Sequence, residues 1–200
     1  MLEAYHALAR LRPFGYKPFV TPFYGDTPMC GPTPGVRTEA TPAARTLPRI
    51  GDKAHDFVAQ TTHGEIKFSD WREGKWVLLF SHPADFTPVC STELTEFARR
   101  QREFDQRGVK LIGISVDSIH SHLAWVQNLN KILGVRLPFP LIADSTRTVS
   151  ELYGMLHPGE SATVTVRALF AIDPKGTIRA IIYYPLNVGR SVDEVVGGGG

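Results

Sequence analysis

The chain has 200 residues, enough for one domain of good size plus an extension, and its apolar and charged fractions are ordinary for a globular protein. Its formal net charge of +2 is too small to indicate a nucleic-acid or anionic-membrane partner, and no stretch approaches the roughly 20 apolar residues that cross a bilayer. Two cysteines, Cys30 and Cys90, exclude a disulfide framework and indicate a reducing, cytoplasmic setting.

The first 48 residues differ in composition from the rest of the chain. Eight prolines, with threonines and glycines between them, predict a disordered or polyproline-like extension over residues 1–48. Its amphipathic start, Met1–Arg12, fits either an organellar leader or an unstructured tail, and we favour the tail. Cys30 is interpreted as an incidental thiol in preference to a resolving cysteine that would reach Cys90.

From Ile50 onwards, strand and helix patterns alternate, and we expect one domain over residues 49–196, followed by a glycine tail at 197–200. The predicted strands are a hairpin of 56–60 and 65–68, then 76–80, 109–116, 138–144, 164–172 and 177–184. The predicted helices are 88–106, 119–132, a short one near 146–153, and a last one beginning near Ser191. This order predicts an α/β fold with a central mixed β-sheet flanked by helices and an N-terminal β-hairpin.

Cys90 lies at the predicted junction between the strand 76–80 and the helix 88–106. Thr87 is a good helix N-cap, and Pro88 suits the first helical position, where the missing N–H costs nothing. Cys90 then falls in the first turn, where free backbone N–H groups and the helix dipole favour an anion. Because the thiolate is the nucleophilic form of cysteine, the local sequence predicts a reactive Cys90.

Several neighbours of Cys90 each allow two interpretations. The Thr87 hydroxyl can serve a substrate oxygen or simply cap the helix, and Pro83 can shield the thiolate or merely shape the loop. His82 is either a polar neighbour of the site or a structural histidine at a strand end. The negative charge of Glu93 would disfavour a thiolate at Cys90 unless a cation lies between them. An arginine is the expected cation.

Arg167 is the candidate cation, because it lies on a predicted strand that is otherwise rich in apolar residues. An unpaired buried charge is costly, so an arginine in such a strand needs a partner. Pairing with Glu93 while facing Cys90 would satisfy the guanidinium and favour the thiolate.

The spacing Pro83-x-x-x-Thr87-x-x-Cys90 resembles the signature of the peroxiredoxins, and the surrounding blocks are similar to their one-cysteine, peroxiredoxin-6 type subfamily. The resemblance covers residues 50–196, although the chain looks as if it lacks the C-terminal segment of that subfamily. The blocks that carry it are Ser81–Glu93, Ser115–Ser118 with His122 and Trp125, Leu137–Pro140, and Tyr184–Arg190.

The resemblance implies a thioredoxin-like fold and a thiol-dependent peroxidase that reduces hydrogen peroxide and organic hydroperoxides without a metal, flavin or other cofactor. It also implies a thiol reductant such as glutathione or thioredoxin, and a homodimer or larger homo-oligomer formed through the edge of strand 177–184. By position it implies a peroxidatic cysteine (Cys90), residues that hold and polarise the peroxide (Thr87 and Arg167), a shield (Pro83), a residue that orients the arginine (Glu93), and two further subfamily positions (His82 and Arg190).

Other classes of function remain open at this point. Cys90 oxidation can signal to a partner, as in a redox sensor or holdase. A thiol–disulfide oxidoreductase is less favoured, because it needs Cys-x-x-Cys and the fourth position here is Glu93. A metal site on His120 and His122 is the weakest alternative, since residues two apart on a helix point to different faces.

Overall fold

A computed structural model describes residues 47–197 of the chain. Residues 1–46 and 198–200 lie outside this part, so the predictions for most of the extension, for its amphipathic start, for Cys30 and for most of the glycine tail fall outside the described residues. None of the helices within 47–197 is long and apolar enough to cross a membrane.

Within residues 47–197, seven strands form one mixed sheet in the order β2-β1-β5-β4-β3-β6-β7. The pairs β3–β4 and β4–β5 are parallel, while β1–β2, β1–β5, β3–β6 and β6–β7 are antiparallel. The predicted hairpin and mixed sheet are confirmed. The strands are β1 (Val58–Thr61), β2 (Gly64–Lys67), β3 (Trp76–Ser81), β4 (Val109–Ser115), β5 (Leu141–Ala143), β6 (Arg167–Ile172) and β7 (Ile178–Tyr184).

Six helices are described, and they cover both faces of the sheet. They are α1 (Phe68–Trp71), α2 (Pro88–Arg99), α3 (Gln101–Gln106), α4 (Ile119–Leu133), α5 (Thr148–Leu152) and α6 (Val192–Gly197). Because side chains alternate along a strand, β3 contributes Leu78 and Phe80 to one apolar cluster, with α2, α3, α4 and α6. The same strand contributes Val77 and Leu79 to the opposite cluster, with α1 and α5. This arrangement is the expected three-layer, thioredoxin-like α/β fold.

The structure corrects several predicted element bounds. The helix predicted over 88–106 is two helices, because the backbone at Arg100 (φ −96°, ψ 8°) leaves the helical range, and Phe104 still reaches Phe97 in the core. The strand predicted over 138–144 contains only β5, since Pro138 and Pro140 have no N–H for a ladder. The single turn of α1 was missed because four residues are too short to show a helical period.

Candidate active site

Cys90 lies in the first turn of α2, immediately beyond the carboxyl end of β3. Thr87 is the N-cap residue, with an extended backbone (φ −83°, ψ 146°), and Pro88 occupies the first helical position as predicted. The Cys90 side chain is fully buried among the apolar residues of α2 and β3. The sulfur is therefore shielded from solvent.

Arg167 reaches the sulfur from the start of β6, the strand that pairs with β3. Its Nη1 lies 3.4 Å from Cys90 Sγ and 3.1 Å from Glu93 Oε2. Its Nε donates to the carbonyl oxygen of Leu186 at 3.0 Å, which fixes the plane of the guanidinium. The structure thus brings together the cation, the carboxylate and the thiol that the sequence suggested as a group. The contact with Leu186 could not be inferred from sequence, because a backbone acceptor carries no residue signature.

Arg190 holds the other side of Glu93. Its Nε donates to Oε1 and its Nη2 to Oε2, both at 2.7 Å, and its backbone N donates to Oε1 at 2.8 Å. Its Nη1 donates to the carbonyl oxygen of Ala168 at 2.7 Å, and its guanidinium lies 5.2 Å from the centre of the Phe80 ring. This bidentate geometry is the strongest form of an arginine–carboxylate pair.

Electrostatics around Glu93 follow from these contacts. Burial alone would raise the pKa of Glu93, but the hydrogen bonds and charge of Arg190, with the charge of Arg167, hold that pKa below its usual range. One carboxylate between two buried guanidinium groups gives the group of three side chains a net charge of +1. Arg167 directs that charge at Cys90 Sγ, so the pocket is suited to an anion beside the sulfur.

Thr87 and Pro83 lie in the loop between β3 and α2. Thr87 makes no side-chain capping bond to the helix; its Oγ1 donates instead to the carbonyl oxygen of Ala84 at 3.0 Å. Since the hydroxyl hydrogen is used there, the Thr87 oxygen can only accept a hydrogen bond from a ligand. Pro83 is buried, with no N–H to offer the pocket.

His82 is bonded into a buried cluster in the loop that precedes Cys90. Its Nε2 lies 3.0 Å from Asp85 Oδ1, and Asp85 also contacts His122 Nδ1 at 2.9 Å. His120 is exposed while His122 is buried, so these two histidines do not face one common metal site. The part of the chain that the structure describes does offer His82, Asp85 and His122 as potential metal ligands, all within 4.8 Å of one another. Sequence reasoning gave no role to Asp85, because a carboxylate in a loop looks like a solvated residue.

Comparisons with known proteins bear on this site. The chain matches the AhpC/TSA family over residues 50–181. It is 57% identical over 151 residues to a peroxiredoxin of Aquifex aeolicus, and the aligned region covers 76% of this chain and 68% of that protein. A solved yeast mitochondrial 1-Cys peroxiredoxin, described with a thiol resolving mechanism via glutathione/thioredoxin systems, is 46% identical with a TM-score of 0.70, covering 75% of this chain and 74% of the other. A cysteine-to-serine mutant of the peroxiredoxin 6 of Arenicola marina is 38% identical with a TM-score of 0.70, covering 74% and 70%.

Proposed function

Because the chain belongs to the AhpC/TSA family of peroxiredoxins, which are thiol-dependent peroxidases, we propose that it reduces hydrogen peroxide and organic hydroperoxides through Cys90. The observation that carries this proposal is the 3.4 Å contact between Arg167 Nη1 and Cys90 Sγ. A guanidinium held beside a thiol stabilises the thiolate, the form that attacks an oxygen atom.

The proposed first step breaks the O–O bond of a hydroperoxide. The Cys90 thiolate attacks the terminal, hydroxyl oxygen and forms an S–O bond, while the electron pair of the O–O bond leaves on the other oxygen as an alkoxide or hydroxide. That oxygen takes a proton from water, so the products are Cys90 sulfenic acid and an alcohol or water. Sulfur is oxidised by two electrons and the peroxide is reduced by the same two.

The surrounding side chains fit defined parts of this step. Arg167 donates to the oxygen on which negative charge develops, as an oxyanion hole does. Thr87, whose hydrogen is bonded to Ala84, accepts the hydroxyl hydrogen of the peroxide and so aligns the O–O bond with the sulfur. Glu93 and Arg190 keep Arg167 in its plane, and Pro83 keeps water away from the sulfur.

A thiol is required to complete the proposed cycle. One thiol condenses with the sulfenic acid to a mixed disulfide and releases water; a second thiol then frees the Cys90 thiolate and leaves with the first as a disulfide. The relative from yeast mitochondria, with its glutathione/thioredoxin systems, supports glutathione or thioredoxin as the reductant here. A reducing compartment such as the cytoplasm fits this chemistry.

We also propose self-association through β7. This strand forms one edge of the described sheet. Its first residue, Ile178, is bonded to Gly51 and Asp52, but the strand beyond it offers outer N–H and C=O groups to a second copy. A homodimer or larger homo-oligomer formed in this way should be measurable by analytical ultracentrifugation. Proline substitution in the middle of β7 should shift the distribution towards monomer.

The peroxidase proposal is tested by following peroxide consumption with dithiothreitol as reductant. Cys90→Ser should abolish turnover, and one equivalent of peroxide should yield a sulfenic acid at Cys90 that is trapped by dimedone and located by mass spectrometry. Cys30→Ser is the matched control and should retain activity. Retained turnover in Cys90→Ser would refute the proposal. Loss of turnover in Cys30→Ser, with a disulfide-linked band on non-reducing gels, would replace the one-cysteine cycle by a two-cysteine one.

A further inference from the structure

A buried polar cluster joins the loop 82–87 to the first turn of α4. Both oxygens of Asp85 accept from donors: Oδ1 lies 3.0 Å from His82 Nε2 and 3.0 Å from His122 Nδ1, and Oδ2 lies 2.9 Å from His122 Nδ1. Ser121 Oγ donates to Oδ2 at 2.8 Å. The side chains of both histidines are 0% exposed and that of Asp85 is 1% exposed.

The contacts of His122 determine its protonation. Its Nε2 lies 3.1 Å from the carbonyl oxygen of Ile142, which can only accept, so Nε2 carries a hydrogen. Its Nδ1 faces the Asp85 carboxylate, which also accepts from His82 and Ser121, so Nδ1 carries a hydrogen as well. Burial opposes the ionisation of Asp85, yet the hydrogen bonds from His122 and His82 hold its pKa far below the usual range. Both ring nitrogens of His122 therefore face acceptors, and one of these acceptors is the Asp85 carboxylate.

His82 completes the cluster as a neutral ring. Burial lowers the pKa of His82, and its Nε2–H donates to Asp85, which leaves Nδ1 as an unprotonated nitrogen with no hydrogen-bond partner among the described residues. The charged or titratable groups that face these two rings are Asp85 from the loop and Asp117 from the segment before α4. Asp85 Oδ1 lies between His82 Nε2 and His122 Nδ1, at hydrogen-bond distance from each. A metal ion shared by the two histidines would have to occupy the position of this oxygen.

The cluster is connected to the reactive end of α2 through the backbone. Asp85 N donates to Asp117 Oδ2 at 3.1 Å, so both the main chain and the side chain of Asp85 are attached at the start of α4. The next residue, Phe86, has a left-handed backbone (φ 59°), a strained conformation for a bulky side chain that persists only where its neighbours are held. Thr87 follows directly, and its hydroxyl is bonded to Ala84 on the other side of Asp85.

We propose that the buried hydrogen bonds of Asp85 to His82, Ser121 and His122 hold the loop 82–87 in place, and that Asp85 and His122 are positioning residues for peroxide reduction at Cys90. The pair acts through Thr87 and Pro83, which the same loop carries, and it touches neither sulfur nor peroxide. This role rests on the proposed peroxidase function, although the hydrogen bonds of the pair do not.

The hydrogen bonds of His122 are tested by nitrogen NMR on the full, reduced chain labelled with ¹⁵N-histidine, using His122→Gln to assign the signals. In the wild type at neutral pH both His122 nitrogens should carry a hydrogen, because each faces an acceptor. In Asp85→Asn the amide can donate to Nδ1, so Nδ1 should lose its hydrogen and show a pyridine-like shift. A wild-type Nδ1 without a hydrogen, or a stoichiometric metal ion in the purified protein, would overturn the assignment.

The positioning role is tested by the rate of peroxide consumption in the same variants. Asp85→Asn should lower the second-order rate constant by about 10- to 100-fold, the scale expected for displacement of a group that aligns the substrate, with the far-UV circular dichroism unchanged. His120→Gln, an exposed histidine on the same helix, is the matched control and should stay within about twofold of the wild type.

These outcomes separate the two proposals. A rate in Asp85→Asn within about twofold of the wild type refutes the positioning role and leaves the peroxidase intact. Absence of peroxide turnover in the wild type refutes the proposed function, whereas the NMR result still decides the hydrogen bonds of the pair. If Asp85→Asn does not fold, His122→Gln decides the positioning role, and a rate constant within about twofold of that of His120→Gln refutes it.

Discussion

Glu93 lies between two buried arginines, and its replacement by glutamine gives the sharpest test of how this site is held together. Glu93 accepts four hydrogen bonds: three from Arg190 N, Nε and Nη2 and one from Arg167 Nη1. Oε1 faces two of these donors and Oε2 faces the other two. The amide NH₂ of a glutamine must therefore point at two donors in either orientation, and the negative charge is lost as well.

The expected cost follows from this geometry. Removing one member of a buried ion pair destabilises a protein by about 3–5 kcal/mol, and the side chains of Glu93 and both arginines are at most 2% exposed. Glu93→Gln should therefore lower the free energy of unfolding by about 4 kcal/mol, and Tm by roughly 10 °C for a chain of this length.

The assay is thermal and urea unfolding of the reduced protein at neutral pH, followed by circular dichroism. Glu96→Gln, a half-buried glutamate one turn further along α2, is the matched control and should change the stability by less than about 0.5 kcal/mol. Because the pKa of Glu93 is depressed in the folded state, its contribution is present at neutral pH and is lost as the pH falls. The difference between the wild type and Glu93→Gln should thus shrink below about pH 4, where the unfolded chain becomes protonated. A loss below about 1 kcal/mol at neutral pH would refute the reasoning.

Three further substitutions test other parts of the structure. Arg167→Lys should slow peroxide consumption, since lysine lacks the planar fork with which Arg167 contacts Glu93, the Leu186 carbonyl and Cys90 together; an unchanged rate constant would contradict the role of this contact. Thr87→Ser should keep most of the peroxidase activity and Thr87→Val should lose about 10- to 100-fold; equal rates would exclude the hydroxyl from substrate alignment. Gly113→Ala should lower stability by about 1–3 kcal/mol in urea unfolding, because the added Cβ would lie 2.6 Å from Leu141 Cδ2, whereas Gly159→Ala, with nothing within 4 Å, is the control; equal midpoints would contradict the close packing.

Sequence reasoning found Arg167 but not its full set of contacts. Arg167 stood out because a charge in an apolar strand requires a partner, a rule that needs no knowledge of the fold. Its contact with Leu186, by contrast, depends on how the chain returns after β7. Arg190 was expected only from family resemblance, since nothing local distinguishes it from a surface arginine. Its bidentate contact with Glu93 joins residues 97 positions apart.

Asp85 illustrates the same limit more strongly. As a loop residue after a strand it reads as solvent-exposed, yet it is buried and accepts from His82, Ser121 and His122. The break at Arg100 was also missed, because the apolar positions on either side of it keep a helical spacing. For Asp85 the deciding contacts come from a distant part of the chain, to which a local pattern is insensitive.

The sequence by itself determined the elements that depend on near neighbours. Apolar runs predicted the strands, and the cap and proline at Thr87–Pro88 placed Cys90 in the first turn of a helix, because helix starts are set by residues within one turn. Only the tertiary structure decided how Arg190 and the Leu186 carbonyl hold the charges beside the sulfur, and what holds the preceding loop. Those contacts depend on the pairing of β3 with β6 and the packing of α4 on the loop 82–87, which bring together residues that are far apart in the chain.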